Sequence, residues 1–103
     1  MEVRHYKVVS DNYVDRNAYV VTNGSTLQLS QVGGDASNPG AYVRIIWDRT
    51  GTPEIILVTH GDANQDVLGL SFLGDGVKAI EIELINDTDY EVTLGGFWKG
   101  REV

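Results

Sequence analysis

The chain has 103 residues and a mass of 11.3 kDa, with 42% hydrophobic residues, 22% charged residues, no cysteine and a formal charge of -7 at pH 7. A chain of this size buries one core, so residues 1–103 are read as a single domain. The missing cysteines exclude disulfides, thiolate metal clusters and a cysteine nucleophile, and the acidic excess argues against nucleic acid, whose phosphates are held by lysine and arginine.

Along the chain the hydrophobic period is two almost throughout, the signature of strands. Val3 to Val9 interleaves Val3, His5, Lys7 and Val9 with Arg4, Tyr6 and Val8, and Arg16 to Thr22 carries Tyr19, Val20 and Val21. Leu27 and Leu29 alternate with Thr26, Gln28 and Ser30. Ala41, Val43, Ile45 and Trp47 form the dry face of a strand whose other face holds Tyr42, Arg44, Ile46 and Asp48. Ile55-Ile56-Leu57-Val58 is apolar on both faces, which predicts a strand that is central or covered by another chain. Leu68, Leu70 and Phe72 alternate with Val67, Gly69 and Ser71. Ile80, Ile82 and Leu84 alternate with Glu81 and Glu83, which places two carboxylates on a solvated face. Tyr90, Val92 and Leu94 form the last pattern, ending before Gly95-Gly96.

Turn formers such as Asn23-Gly24, Gly33-Gly34-Asp35, Asn38-Pro39-Gly40, Gly51-Thr52-Pro53, Gly74-Asp75-Gly76 and Asn86-Asp87 punctuate these segments. No window has a capped helical period. About eight short strands with frequent turns predict an all-β fold, a single antiparallel β-sandwich of jelly-roll type. The longest apolar run is far too short for a membrane helix. The charged start Met1-Glu2-Val3-Arg4 carries no apolar stretch, so no signal peptide is expected.

Charge is uneven along the chain. Residues 1–51 balance to zero, whereas Thr52 to Trp98 hold nine acids against the single base Lys78. Such a chain offers protomers an uncharged half and an acidic half with which to meet in a fixed orientation.

Candidate chemistry is sparse. His5 and His60 lack metal-pair spacing, no nucleophile elbow occurs, and an exposed Glu81/Glu83 pair cannot divide acid and base roles, so no catalytic residue is expected. Asp62-Ala63-Asn64-Gln65-Asp66 copies the first half of a calcium loop, but Val67 and Leu73 stand where the glycine and the bidentate glutamate belong. A looser calcium site through Asp62, Asn64 and Asp66, or through Asn86, Asp87 and Asp89, is the one cofactor the sequence admits.

The aromatic residues carry more. Tyr42 and Ile46 flank Arg44 on the mixed face of their strand, and adjacent Phe97 and Trp98 cannot both face one core if the chain is extended there. Exposed aromatics of this kind anchor protein interfaces or stack on sugar rings. Tyr42, Arg44, Ile46, Phe97 and Trp98 are therefore the expected contact residues.

Gly74-Asp75-Gly76-Val77-Lys78, Ile80-Glu81-Ile82-Glu83-Leu84-Ile85-Asn86-Asp87 and Leu94-Gly95-Gly96-Phe97-Trp98-Lys99-Gly100 resemble the C-terminal part of small all-β virion proteins of tailed bacteriophages and prophages. That resemblance covers about a third of the chain and rests on turn and strand patterns, with no site motif to map. It implies a non-enzymatic component of a capsid, neck, tail or fibre, working as a homo-oligomer among other virion proteins. Its place would be the virion or the cytoplasm of the producing cell. The alternative expectation is a carbohydrate-binding module using Tyr42, Arg44 and Trp98; neither a nucleic-acid nor a membrane partner is expected.

Overall fold

The structure, a computed structural model, describes all 103 residues. It contains nine strands: β1 Glu2–Val9, β2 Tyr13–Val20, β3 Thr26–Asp35, β4 Ala41–Trp47, β5 Glu54–Thr59, β6 Ala63–Asp66, β7 Ser71–Leu73, β8 Ala79–Asn86 and β9 Val92–Glu102. The first sheet runs β1-β9-β3-β6, with β7 also on β3, and the second runs β2-β8-β4-β5. All pairings are antiparallel. The chain changes sheet at every connection except β4–β5 and β6–β7, which is the jelly-roll arrangement of a sandwich.

The alternation places the core as the sequence predicts. Val43, Ile45 and Trp47 of β4 and Ile80, Ile82 and Leu84 of β8 face inward and are buried against Leu27, Leu29 and Leu94 of the opposite sheet. Trp47 stacks on Phe72 across the two sheets, ring centroids 4.9 Å apart, and closes one end of the core.

Gly33-Gly34-Asp35, expected as a turn, instead lies within β3 and pairs with β9, and four further expectations change. Residues 67–72 are not one strand. Gln31 to Gly34 pair with β6 and Thr26 to Gln28 pair with β7, while Ser30 occupies a bulge in β3 and Val67 to Leu70 turn outward between them. A bulge bends its strand, and here it splits the edge in two.

The last strand does not stop at Gly95-Gly96; β9 runs through both. Glycine is usually poor in a strand, but here Gly95 makes room for a ring on the outer face and Gly96 for Ile82 and Val43 in the core. A Cβ on Gly95 would stand 2.0 Å from the Tyr6 ring, and one on Gly33 would stand 2.2 Å from the Phe97 ring.

The apolar β5 is an edge strand, not a central one, because β4 pairs with it on one side only. Finally, the neutral first half and the acidic second half of the sequence do not form two halves in space. A jelly roll interleaves them, and each sheet takes strands from both.

Candidate functional site

The outer face of the second sheet is built around Glu83. The register sets Arg16 of β2, Glu83 of β8 and Arg44 of β4 in one row, continued by Val58 of β5. Arg16 Nε donates to Glu83 Oε2 at 2.8 Å and Arg44 Nε donates to Oε1 at 2.6 Å. One turn of the pleat away, Arg49 Nε donates to Glu81 Oε2 at 2.7 Å. Against expectation, both carboxylates are buried, Glu83 completely (0% exposed), because β8 is central and the guanidiniums fold across it from either side. Burial pushes the Glu83 carboxyl up, but Arg44 and Arg16 together outweigh it and hold the group below the ordinary carboxylate value. Glu81 and Glu83 thus serve as anchors for arginines.

Beside this ladder lies an apolar flank. The β4–β5 register shifts between Ile45 and Ile46, pairing Ile45 with Leu57 and Ile46 with Ile55. The extra residue, Ile56, lets Ile55 and Val58, three apart, share the outer face, where they are 58% and 44% exposed. Tyr42 is half-buried on the same face, its ring 5.0 Å from that of His60 just past β5. Three expected contact residues, Tyr42, Arg44 and Ile46, are therefore neighbours, but Ile46 is nearly enclosed and Arg44 is committed to Glu83. Ile55 and Val58 supply the open apolar surface. Nothing in their alternation marks them as outward; the bulge does.

The other two expected contact residues part company. Trp98 points into the core, 0% exposed, with its ring edge-on to Tyr19 at 5.3 Å and its Nε1 without a hydrogen-bond acceptor. It offers no ring to a ligand, and a sugar platform of Tyr42, Arg44 and Trp98 does not exist. Phe97 faces outward on the first sheet but is only 7% exposed. It lies across Gly33, with the Arg4 guanidinium 5.2 Å above its centroid and 5.6 Å from that of Tyr6.

Next to this aromatic group a cleft of about 720 Å³ opens on the first sheet. Its walls are the ends of β3 and β9 and the Val67–Leu70 turn that the Ser30 bulge displaces. Sequence reading missed it, since it arises from the split edge.

The calcium candidates do not gather. Asn64 and Asp66 lie in extended β6, roughly 6.5–7 Å apart along the strand, and Asp62 lies before it with its carboxyl bonded to Asp35. Asn64 bonds Gln31 across the strand pair. Asn86 is buried and engaged: its Nδ2 reaches the carbonyls of Val9, Ser10 and Tyr90 at 3.1, 3.1 and 2.8 Å, and its Oδ1 accepts from Thr88 N and Oγ1. Asp87 and Asp89 stay exposed beside it. No three His, Cys, Asp or Glu side chains are grouped so as to hold a metal ion.

His5 does have a partner. Its Nε2 lies 2.6 Å from Asp15 Oδ1, joining β1 of one sheet to β2 of the other, while Tyr19 Oη donates to Glu102 Oε2 at 2.6 Å between β2 and β9. These are clasps between the sheets.

No protein-family model matches the chain, and no curated protein matches it. Among solved structures it is similar to a family two carbohydrate esterase from Cellvibrio japonicus, at 17% identity and a TM-score of 0.34. The match covers 99% of this chain and 35% of that one, so the chain spans about a third of that protein's length. Similarity at that level assigns neither family nor activity.

Proposed function

We propose that this chain is a non-enzymatic assembly module that joins a symmetric oligomer through the β4–β5 flank of its second sheet. The observation that carries this reading is the edge strand β5. Edge strands expose unpaired backbone groups and are ordinarily guarded by charge, proline or shortness. The edges β1, β2 and β6 carry Arg4 and Lys7, Asp15 and Arg16, and Asp66, and β7 has three residues, whereas β5 keeps its guards, Pro53 and Glu54, at its start and has no charged residue from Ile55 to Thr59. A second β5 laid antiparallel about a two-fold axis sets Ile55 of one copy beside Val58 of the other. It continues the sheet and removes both side chains from water. The resemblance of the C-terminal third to phage virion proteins suggests the setting, with other virion proteins as further neighbours.

Light scattering coupled to size exclusion over a concentration series tests this. The wild-type chain is expected at a multiple of 11.3 kDa. Ile55→Lys and Val58→Lys are expected to yield monomers with unchanged circular dichroism and melting, since neither side chain lies in the core. A wild-type monomer at every concentration overturns the reading, as do variants that keep the wild-type mass.

A further inference from the structure

We propose that the cleft on the first sheet is a binding site for a short acidic saccharide, two or three sugar units bearing carboxylates. Its location is independent of the assembly flank, which lies on the opposite sheet.

Charge comes first. In a chain of net charge -7, Lys99 and Arg101 stand on the outer side of β9 two residues apart, which places them roughly 6.5–7 Å from each other along one wall. Neither is neutralised closely. Lys99 Nζ is 4.0 Å from Glu2 Oε1, at the limit of an ion pair, and Arg101 has no carboxylate partner. Its Nε donates to Gln28 Oε1 at 3.2 Å, which orients the guanidinium and leaves its two terminal nitrogens free for a bidentate carboxylate.

The rest of the lining suits hydroxyl groups, which both donate and accept. Gln28, Ser30 and Ser71 line the cleft, the Glu2 carboxylate at its edge is paired with Arg4 Nε at 3.2 Å, and Leu68 on the turn opposite supplies apolar contact for the carbon face of a ring. The backbone argues against a peptide. Leu29 N donates to Leu70 O, Val67 N to Ser30 O, and Gly100 N to Met1 O, so the main chain here is already paired and recognition falls to side chains. A volume of about 720 Å³ lies within the usual range for small-ligand sites.

The test is a titration of the ¹⁵N-labelled protein with trigalacturonate, with neutral galactotriose and a tri-aspartate peptide as controls. Trigalacturonate is expected to shift the amides of Gln28, Ser30, Lys99 and Arg101 and to bind more weakly as salt rises. Lys99→Gln and Arg101→Gln are each expected to weaken it by about tenfold, with the amide spectrum outside the cleft unchanged. Ile55→Lys is expected to leave binding intact, which separates this site from the assembly flank. No shift with trigalacturonate overturns the proposal. Equal binding of galactotriose, or tighter binding of the peptide, also overturns it, because then carboxylate and hydroxyl recognition do not act together.

Discussion

Glu83 occupies a position that alternation marks as solvated, yet two arginines enclose it from neighbouring strands. A buried carboxylate is tolerated only when charge and hydrogen bonds replace its lost water, and here both oxygens are satisfied. Glu83→Gln keeps the shape and removes the charge, leaving two guanidiniums facing each other. We expect a loss of about 2 kcal/mol in urea unfolding, below the ~3–5 kcal/mol of a wholly buried pair because both arginines still reach water. The folded carboxyl is held below its unfolded value, so its contribution is fully present above the ordinary carboxylate range and is lost as pH falls through the depressed folded value. Stability measured from neutral to acid pH should therefore fall more steeply in the wild type than in Glu83→Gln; parallel curves would refute this account. Trp98 makes the complementary point, as its bulk is well used while its Nε1 finds no acceptor. An indole in that state costs about 1–3 kcal/mol, which the burial of its large ring offsets.

At the scale of the element, β9 shows how a glycine pair can strengthen a strand. Its central position between β1 and β3 sets Gly95 beneath Tyr6, and its cross-strand neighbour Gly33 lies beneath Phe97. Rings that cover strand glycines shield the backbone hydrogen bonds and bury apolar area that the glycines themselves cannot. Gly33→Ala drives a methyl into Phe97 and to 2.8 Å from the Ala63 carbonyl oxygen, and we expect a loss of about 1–3 kcal/mol, of which the backbone share persists when the ring is removed. In a Phe97→Ala background the same change should cost markedly less, so a double-mutant cycle measured by denaturation reads the coupling. Equal losses in both backgrounds would mean that the ring does not depend on the glycine. The β5 strand shows the opposite case, since one extra residue turns an ordinary apolar edge into a flank with two outward side chains.

The whole molecule is electrically lopsided by end. The connections β1–β2, β3–β4, β5–β6 and β8–β9 meet at one end and bring together Asp11, Asp35, Asp62, Asp87, Asp89 and Glu91 with no lysine or arginine among them. The other end mixes Arg49, Lys78, Lys99 and Arg101 with Glu2, Asp48, Glu54, Asp75 and Glu102. Crowding at the acidic end is direct: a hydrogen bond with Asp35, then its charge, raises the Asp62 carboxyl above its ordinary value. A group raised in the folded state favours folding below its unfolded value and loses that contribution as pH rises through the folded one. Asp62→Asn should thus raise the melting midpoint slightly at neutral pH and low salt, and the gain should shrink as salt screens the pair. A midpoint that falls would mean the carboxylate has a favourable contact instead. The sandwich is held against this repulsion by its core and by the two inter-sheet clasps, His5 with Asp15 and Tyr19 with Glu102.

The sequence by itself determined the class of the fold and most of its core. The period of two in β4 and β8 names inward residues directly, and the turn formers mark most of the breaks between strands, because these signals are local to the backbone. Only the tertiary structure decided which strands are edges, that Glu83 is buried, that Trp98 turns inward while Phe97 lies on glycine, and that a cleft opens beside Lys99 and Arg101. Each of these depends on which distant strand becomes the neighbour. Pairing partners, bulges and the sheet a strand joins are settled by long-range packing, and a face that is wet in isolation becomes dry when a neighbour's arginine lies across it.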